Sequence, residues 1–445
     1  MFVFPKNLYS DVRVEEIFET NIRLVLGELK QCKVRTYQAA FVRVFDGNRW
    51  FYEALTDVES IQKTLDELAE LANPSPEIDR HPVVAALEVN KGELMSFKDQ
   101  SLAEVSLEDK RKLVERYAKL ISNNELITSW SSNYEDRQEV KSFWSSKGTD
   151  IKFDTQRCGV MMNGDFAKDD KKHQDGYNTA GTTFAEISNL DGEFTEWLER
   201  AEDFLIRAKP VEAGSYPVIL SPDAAGVFAH ECFGHKSEAD FMVGDDSAKE
   251  EWAIGKKVGA DILSIIDDGT KPGSGFTPYD DEGTKAQCTY LIKGGELAGR
   301  LHSATTAAAL EEKVTGNARS IGFEYEPIPR MTTTYIASGS MSKEELFAKV
   351  KDGIYVESLK HGSGMSTFTI APSRAYRVID GKEAEPVMVS VVTGQVFEAL
   401  NNVEAVSDKI ELRSFVGGGC GKFEQMPLPV GFGGPYVLVA KLEVR

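Results

Sequence analysis

The stretch AHECFGHKSEAD (229–240) constrains the local fold more than any other part of this chain. It follows YPVIL (216–220), which is typical of a short buried strand. Between them, Ser221-Pro222-Asp223 is a strong helix start, with an N-cap residue, a proline at the first helical position and an acid in the first turn. The sequence therefore predicts a strand followed at once by a helix that runs through His230 to about residue 241.

The two histidines of this helix, His230 and His235, have an unusual spacing. The zinc-protease motif H-E-x-x-H places its two ligands four residues apart, on one helix face. Five steps leave the imidazoles roughly 140° apart on an ideal α-helix. Gly234 lets the helix loosen, and a one-residue π-bulge would bring both rings to one side. We therefore predict a π-bulge and a metal site here; the alternative is two ordinary, partly buried histidines.

A catalytic zinc site needs a third protein ligand and one open position. Glu238 follows His235 by three residues and lies close to it on a helical face. Cys420 is distant in sequence, but the glycines around it let the backbone approach a metal closely, and a thiolate binds Zn²⁺ well. The residues alone favour Cys420 over Glu238 only slightly.

Composition limits the function classes. The net charge of −20 over 445 residues argues against nucleic acid and anionic membranes as main ligands. No apolar run approaches the roughly 18–20 residues that a membrane span needs, and the N-terminal sequence lacks the pattern of a signal peptide. The five cysteines are scattered, which is typical of a reducing compartment. We expect a cytoplasmic protein.

Hydrophobic patterning divides the chain into three predicted segments, and the first two can form one domain. Their boundaries are 1–95, 100–212 and 213–445. The first segment is predicted as α-β-β-α, from a helix over 11–30, a hairpin over 41–54 and a helix that begins near Asp57.

The second segment is predicted to contain helices, short strands and one polar loop. These are a helix capped by Ser106, strands near 126–132, 139–144 and 151–162, a loop over 164–178 that holds a solvated His173, and a helix over 194–208. The third segment contains the histidine motif, a hairpin over 288–302 and a glycine-rich C-terminal stretch. This mixture predicts an α+β fold, with a mixed α/β N-terminal region and a β-rich C-terminal catalytic domain that carries the metal-binding helix.

Several motifs of the third segment occur in an order that resembles the TldD branch of the TldD/PmbA family, also labelled a modulator of DNA gyrase. They are HECFGHKSEADF (230–241), IIDDGT (265–270), DDEGT (280–284), TGNAR (315–319), PRMTTTYI (329–336) and CGKFEQMPLPVGFGGP (420–435). The resemblance implies a metallopeptidase with His230, His235 and Cys420 as zinc ligands. It also implies a dimer, either with itself or with a PmbA-like subunit.

The predicted function is zinc-dependent hydrolysis of short or unfolded peptides by metal-activated water, and iron is not excluded as the metal. Glu231 is the predicted general base, because it adjoins a ligand without being one. Glu238 and Asp240 are candidates for orienting an imidazole. Arg330 is a candidate for binding a substrate carbonyl or carboxylate, with structural pairing as the alternative.

One stretch departs from the family pattern. The sequence KHGSGMSTF (360–368) stands where the TldD branch has a glycine-rich stretch followed by SGKF. The additional His361 is interpreted as a fourth ligand or as a histidine of the surface or the substrate groove.

Two other functions remain open from the sequence. A deformylase-like amidohydrolase uses the same Cys/His/His ligand set, although the order and spacing here differ. A non-catalytic zinc-containing subunit that binds peptides is the second alternative, but a closed structural site has no need of the acid beside His230.

Overall fold

The computed structural model describes residues 2–364 and 366–445. The fold is α+β, as the sequence predicts. The N-terminal strands form one seven-stranded sheet: β1 (Tyr9–Val25), β2 (Glu28–Phe45), β3 (Trp50–Leu55), β4 (Lys91–Leu94), β5 (Ile127–Ser145), β6 (Asp150–Lys168) and β7 (Lys171–Gly181). Its helices are α1 (Ile61–Leu71), α2 (Pro82–Ala86), α3 (Leu107–Ser122) and α4 (Asp191–Arg207).

This sheet has the order β3-β2-β1-β5-β6-β4, with β7 also paired to β6. One face carries an apolar cluster that includes residues of α3 and α4, such as Tyr117 and Trp197. The other face carries charged residues in cross-strand register, with Glu19 opposite Arg137 and Arg137 opposite Arg157. We call the face defined by these three residues the charged face; it lies toward the C-terminal residues, since Glu135, two residues before Arg137, bonds Gly417.

The C-terminal half is built from short strands. They are β8 (Lys209–Pro210), β9 (Gly214–Leu220), β10 (Ile265–Asp268), β11 (Cys288–Lys293), β12 (Glu296–Leu297), β13 (Ala318–Arg319), β14 (Ile328–Pro329), β15 (Thr333–Ile336), β16 (Asp352–Gly364), β17 (Thr367–Ile379), β18 (Lys382–Met388), β19 (Val392–Gln395), β20 (Val403–Val406), β21 (Glu411–Arg413), β22 (Cys420–Lys422), β23 (Gln425–Leu428), β24 (Gly431–Gly434) and β25 (Val437–Val444). Its helices are α5 (Pro222–Ala229), α6 (Asp246–Glu251), α7 (Ala304–Leu310), α8 (Lys343–Ala348) and α9 (Val396–Asn401).

Helix α5 packs against two sheets of this half. Strands β16, β9, β25, β19 and β17 pair in that order, and a further pairing of β16 with β17 closes them into a ring. The second sheet has the order β12-β11-β10-β15-β24-β21. A Cβ on Gly226 of α5 would lie 2.3 Å from the backbone nitrogen of Gly433 in β24, so only glycine allows this close approach.

The helix predicted over 11–30 is wrong: these residues form β1 and the start of β2, joined by a turn at Leu26 and Gly27, both with positive φ. Most of β1 is buried on both faces. Its apolar residues are therefore not confined to alternate positions, and their spacing imitates that of a helix.

The loop predicted over 164–178 is also wrong. These residues form the end of β6 and most of β7, which turn at Asp169. Their polarity reflects the exposure of β7 rather than the lack of a strand. His173 is not solvated, because its side chain is 8% exposed and its ring lies 4.6 Å from that of Phe204, centroid to centroid.

The strands predicted near 126–132 and 139–144 are parts of the single strand β5. The predicted hairpin over 41–54 is confirmed by the pairing of β2 with β3, and Ser106 caps α3 by accepting a hydrogen bond from the Asp109 N–H at 3.1 Å. Within the described residues, no helix combines the length and apolar character required to cross a membrane.

Candidate metal centre

The predicted π-bulge is confirmed. Helix α5 ends at Ala229, and residues His230–Gly234 form a π-helical turn. Its defining bond runs from the His235 N–H to the carbonyl oxygen of His230, five residues back. The two imidazoles consequently face each other, with ring centroids 4.9 Å apart and planes at 86°. Two short 3₁₀ turns follow, His235–Ser237 and Ala239–Phe241, in place of the α-helix predicted to about residue 241.

Dense packing holds the π turn in place. Cys232 and Phe233 belong to the core of the C-terminal half. Gly234 faces Met331, and a Cβ at Gly234 would lie 2.1 Å from the sulfur of that side chain. The glycine is therefore required by the close contact with Met331, since its backbone dihedrals are those of an ordinary helix.

Cys420 reaches the histidines from β22, and the segment before it is attached to the N-terminal sheet. The Gly417 N–H donates to Glu135 Oε2 at 3.0 Å, and Asn178 Nδ2 donates to the carbonyl oxygen of Val416 at 2.6 Å. On the other side, Arg330 donates to the carbonyl oxygen of Cys420 at 2.8 Å. The position of the thiol thus depends on contacts with both halves of the chain.

His230, His235 and Cys420 bring their potential ligand atoms within 4.8 Å of one another. The Cys420 sulfur lies 3.5 Å from His235 Nε2. His230 Nδ1 is buried and has no hydrogen-bond partner among the described residues, an unsatisfied state that a ligand would relieve. Two imidazoles and one thiolate are a donor set that suits Zn²⁺, so these residues fit the predicted metal.

The electrostatics of the cluster favour an ionised cysteine. Burial raises the pKa of Cys420, but the imidazoles of His230 and His235 outweigh it and lower this pKa to about 5. Burial lowers the pKa of His235, yet its hydrogen bonds with Cys420 and Glu238 raise the pKa to about 10. Without a metal, the pair is therefore a thiolate beside an imidazolium, and metal binding must release the proton of His235.

Glu238 lies behind His235 rather than in the ligand cluster. Its Oε2 is 3.1 Å from His235 Nδ1, the ring nitrogen opposite the one that faces Cys420. Lys422 places its Nζ 3.2 Å from the same carboxylate. Burial raises the pKa of Glu238, but these two partners hold it below its usual value. A carboxylate in this place fixes the tautomer and direction of the imidazole.

The other acid and the arginine occupy supporting positions. Asp240 Oδ1 accepts a hydrogen bond from Lys422 Nζ at 2.7 Å. Within the described residues, Asp240 forms no hydrogen bond with His230 or His235. Arg330 is fully buried, and it also donates to the carbonyl oxygen of Gln425 at 3.2 Å. This geometry favours the structural alternative for Arg330 over direct contact with substrate.

His361 lies on β16, opposite Ala371 of β17, and is exposed. The structure does not bring it into the cluster of potential ligands. Met365, later in the same stretch, lies outside the described residues.

Glu231 is half-buried beside the cluster and packs against two glycines of β16. A Cβ on Gly364 would lie 2.6 Å from the carbonyl oxygen of Glu231, and a Cβ on Gly362 would lie 3.3 Å from its Cγ. Because alternate residues share one face of a strand, Gly362 and Gly364 form a flat surface on which Glu231 rests. The side chain of His361 leaves the opposite face.

Sequence reasoning missed the supporting roles of Lys422, Gly362 and Gly364. Lys422 is only 2% exposed at its side chain and joins Glu238 to Asp240. The signals were present: a lysine two residues after Cys420 shares its strand face, and glycines at alternate positions indicate close backbone approach.

Known proteins resemble this chain in sequence and in fold. A family model described as the PmbA/TldA metallopeptidase C-terminal domain matches residues 213–445, and one described as PmbA/TldA metallopeptidase domain 1 matches residues 10–72. A metalloprotease of Synechocystis sp. is 32% identical, over 98% of this chain and 94% of its own length.

Two further proteins are similar. A zinc metalloprotease TldD homolog of Saccharolobus solfataricus is 34% identical, over 54% of this chain and 53% of its own length. The crystal structure of a Thermotoga maritima protein, described as a candidate modulator of a DNA gyrase, has the same fold. Its TM-score is 0.78 at 19% identity, and the alignment covers 98% of this chain and 96% of that one.

Proposed function

Because this chain belongs to the PmbA/TldA metallopeptidase family, we propose that it is a zinc-dependent peptidase that hydrolyses short or unfolded peptides. The observation that supports this most is the cluster of His230, His235 and Cys420 with Glu231 beside it. Zinc is named for one of the relatives. The relatives are named metalloproteases, which favours peptide hydrolysis over the deformylase-like alternative.

In this proposal His230, His235 and Cys420 hold the metal. A bound Zn²⁺ would supply Lewis acidity, which lowers the pKa of water and polarises a scissile carbonyl. Glu231 accepts a proton from the attacking water and returns it to the leaving amine. Glu238 orients His235, and Lys422 keeps Glu238 charged by pairing with it.

The number of donors favours a catalytic site over a structural one. Closed structural zinc sites in proteins have four protein ligands, whereas catalytic sites have three and leave one position open. Among the described residues the cluster has three members. This observation argues against the alternative of a non-catalytic zinc-containing subunit.

The direct test is metal content together with cleavage of a pool of unfolded peptides, read by mass spectrometry. We expect about one zinc per chain and cleavage that a chelator abolishes and zinc restores; elemental analysis also distinguishes zinc from iron. Purified protein that carries zinc but cleaves no peptide would contradict the proposal and favour the binding subunit.

A test of the surface under Glu231 follows from the glycine contacts. Gly364→Ala places a methyl group 2.6 Å from the Glu231 carbonyl oxygen, so β16 or Glu231 must move. A displacement of about 1 Å in a catalytic group costs roughly 10²-fold in rate. We expect turnover to fall by about that factor while zinc remains bound.

The matched control is Gly192→Ala in α4, where an added Cβ meets no atom within 4 Å. This variant should keep the parent's turnover. Full activity in Gly364→Ala would show that the glycine surface does not position Glu231.

We also propose that the protein works as a dimer, either of two copies or with a PmbA-like subunit, because enclosure of the site would keep folded proteins away from it. Light scattering of the purified chain, alone and with such a subunit, should give the mass of a dimer at micromolar concentration. An active monomer in both samples would contradict this. The cytoplasmic location stays a prediction from the cysteine usage.

A further inference from the structure

A cavity lies between the charged face of the N-terminal sheet and the C-terminal half of the chain. Its volume is about 80 Å³, and its lining includes Arg137, Arg157, Arg319 and Leu428. A cavity of roughly 10–15 Å³ on this measure already holds one water molecule, so this cavity can hold a carboxylate group. Leu428 pairs with Cys420 across β22 and β23. The cavity is therefore one strand away from the metal centre.

Arg157 lines this cavity, and one of its donors has no partner. Its Nη1 is buried and has no hydrogen-bond partner in the part of the chain that the structure describes. The acids near it have other partners: Glu135 accepts from Gly417, and Glu139 lies 3.6 Å from Arg137 and 3.8 Å from Lys141. Burial and the positive charge of Arg137 lower the pKa of Arg157 to about 10.

The surroundings of Arg157 carry both signs of charge, since Glu139 and Asp281 also line the cavity. Glu139 lies near Arg137 and Lys141, and Asp281 lies 2.7 Å from Lys141, so both acids already have basic partners. Arg319 is buried, and its guanidinium donates to the carbonyl oxygens of Met331 at 2.5 Å and Pro429 at 2.9 Å. Backbone carbonyls satisfy its donors but leave its charge in place. A second cavity is also lined by Arg137 and Arg157, together with Lys33 and Arg35, so Arg157 is approached from two sides.

A buried guanidinium with a free donor is costly unless an anion pairs with it. The planar fork of arginine matches a carboxylate better than other anions that a peptidase would meet. The chain as a whole carries a net charge of −20, so it repels acidic peptides except where a local positive site receives them.

We propose that this cavity is a subsite for a carboxylate group of the substrate and that Arg157 is its anchor. The inference rests on the proposed peptidase function and adds the substrate class: short peptides that present a carboxylate near the scissile bond. The carboxylate is either the free C-terminus of the peptide or an Asp or Glu side chain.

The test uses four peptides of one sequence, with a C-terminal acid or amide and with Glu or Gln at one internal position. Hydrogen bonds to a charged partner correspond to roughly 10–100-fold in affinity. For the parent, we expect KM to be lower by about that factor for the peptides with the recognised carboxylate. The acid–amide pair and the Glu–Gln pair distinguish its two sources.

The decisive variant is Arg157→Gln, which should remove the difference between the paired peptides by raising KM for the peptide with the recognised carboxylate to the value for its uncharged partner. Arg157→Lys, which keeps the charge, should retain part of the preference. The matched control is Arg111→Gln on α3, an arginine whose side chain is 49% exposed, and it should behave as the parent does.

Thermal unfolding of the same samples tests whether each variant is folded. The melting temperature of Arg157→Gln should be no lower than that of the parent, since the substitution removes an unneutralised buried charge. Equal KM values within both the acid–amide pair and the Glu–Gln pair for the parent, with all four peptides cleaved, overturn the subsite but not the peptidase. If the parent cleaves none of the four, the peptidase proposal fails; the subsite is then judged by fluorescence anisotropy of the four labelled peptides, where equal binding within both pairs overturns it.

Discussion

Replacing Glu231 by Gln is expected to lower peptide turnover by roughly 10²–10⁴-fold, which is the usual contribution of a positioned general base. The amide keeps the shape of the side chain but cannot accept a proton from water. Glu231 adjoins His230 and lies outside the group of three potential ligands, so its loss should leave the metal content unchanged. Turnover, zinc content and peptide affinity should be measured on one sample.

A conservative change elsewhere on the same turns provides the control. Lys236→Gln alters a side chain that lies over the ring of Trp252 and is not one of the potential ligands, so it should leave turnover within a few-fold of the parent. If Glu231→Gln cleaves peptides nearly as fast as the parent with its metal in place, the proposed role of Glu231 is wrong.

Replacing Cys420 by Ser is expected to remove most of the bound zinc and, with it, the activity, because a site left with two imidazoles competes poorly with water for the metal. Glu238→Gln should be milder, since loss of a group that orients a ligand typically weakens metal affinity by about 10–100-fold. Elemental analysis after dialysis against a weak chelator, with circular dichroism to confirm the fold, separates the two variants.

Cys288→Ser is the control for the loss of a thiol, because Cys288 is exposed and outside the cluster. It should retain zinc. If Cys420→Ser keeps its zinc while Glu238→Gln loses it, Glu238 rather than Cys420 is the third ligand.

Local signals in the sequence were enough to predict the centre of the site. The five-residue spacing of His230 and His235 cannot place two rings together on an α-helix, whereas the π turn over His230–Gly234 does so. The N-cap at Ser221 is local as well, and its hydroxyl accepts from the Ala224 N–H at 3.2 Å. Such features depend on residues close together in the chain.

The features that the residues alone left open or predicted wrongly depend on distant residues. The choice between Cys420 and Glu238 depends on where β22 lies, and that is determined by Arg330 and by Glu135 of the N-terminal sheet. The helix wrongly predicted over 11–30 has the same cause, because pairing with β2 and β5 determines its true structure. The sequence does not single out Arg157. Its donor lacks a partner because the acids near it bind other residues, and those contacts exist only in the folded chain.

The attachment of the Cys420 segment to the N-terminal sheet has a consequence for synthesis of the chain. His235 and Cys420 are separated by 185 residues. At about 5–20 residues per second, a ribosome needs roughly 10–40 s to make that interval. During this time the nascent chain contains both histidines and Glu231 but no thiol to complete the cluster. The candidate metal centre is thus incomplete in a half-made chain, and it can form only after β22 has been synthesised.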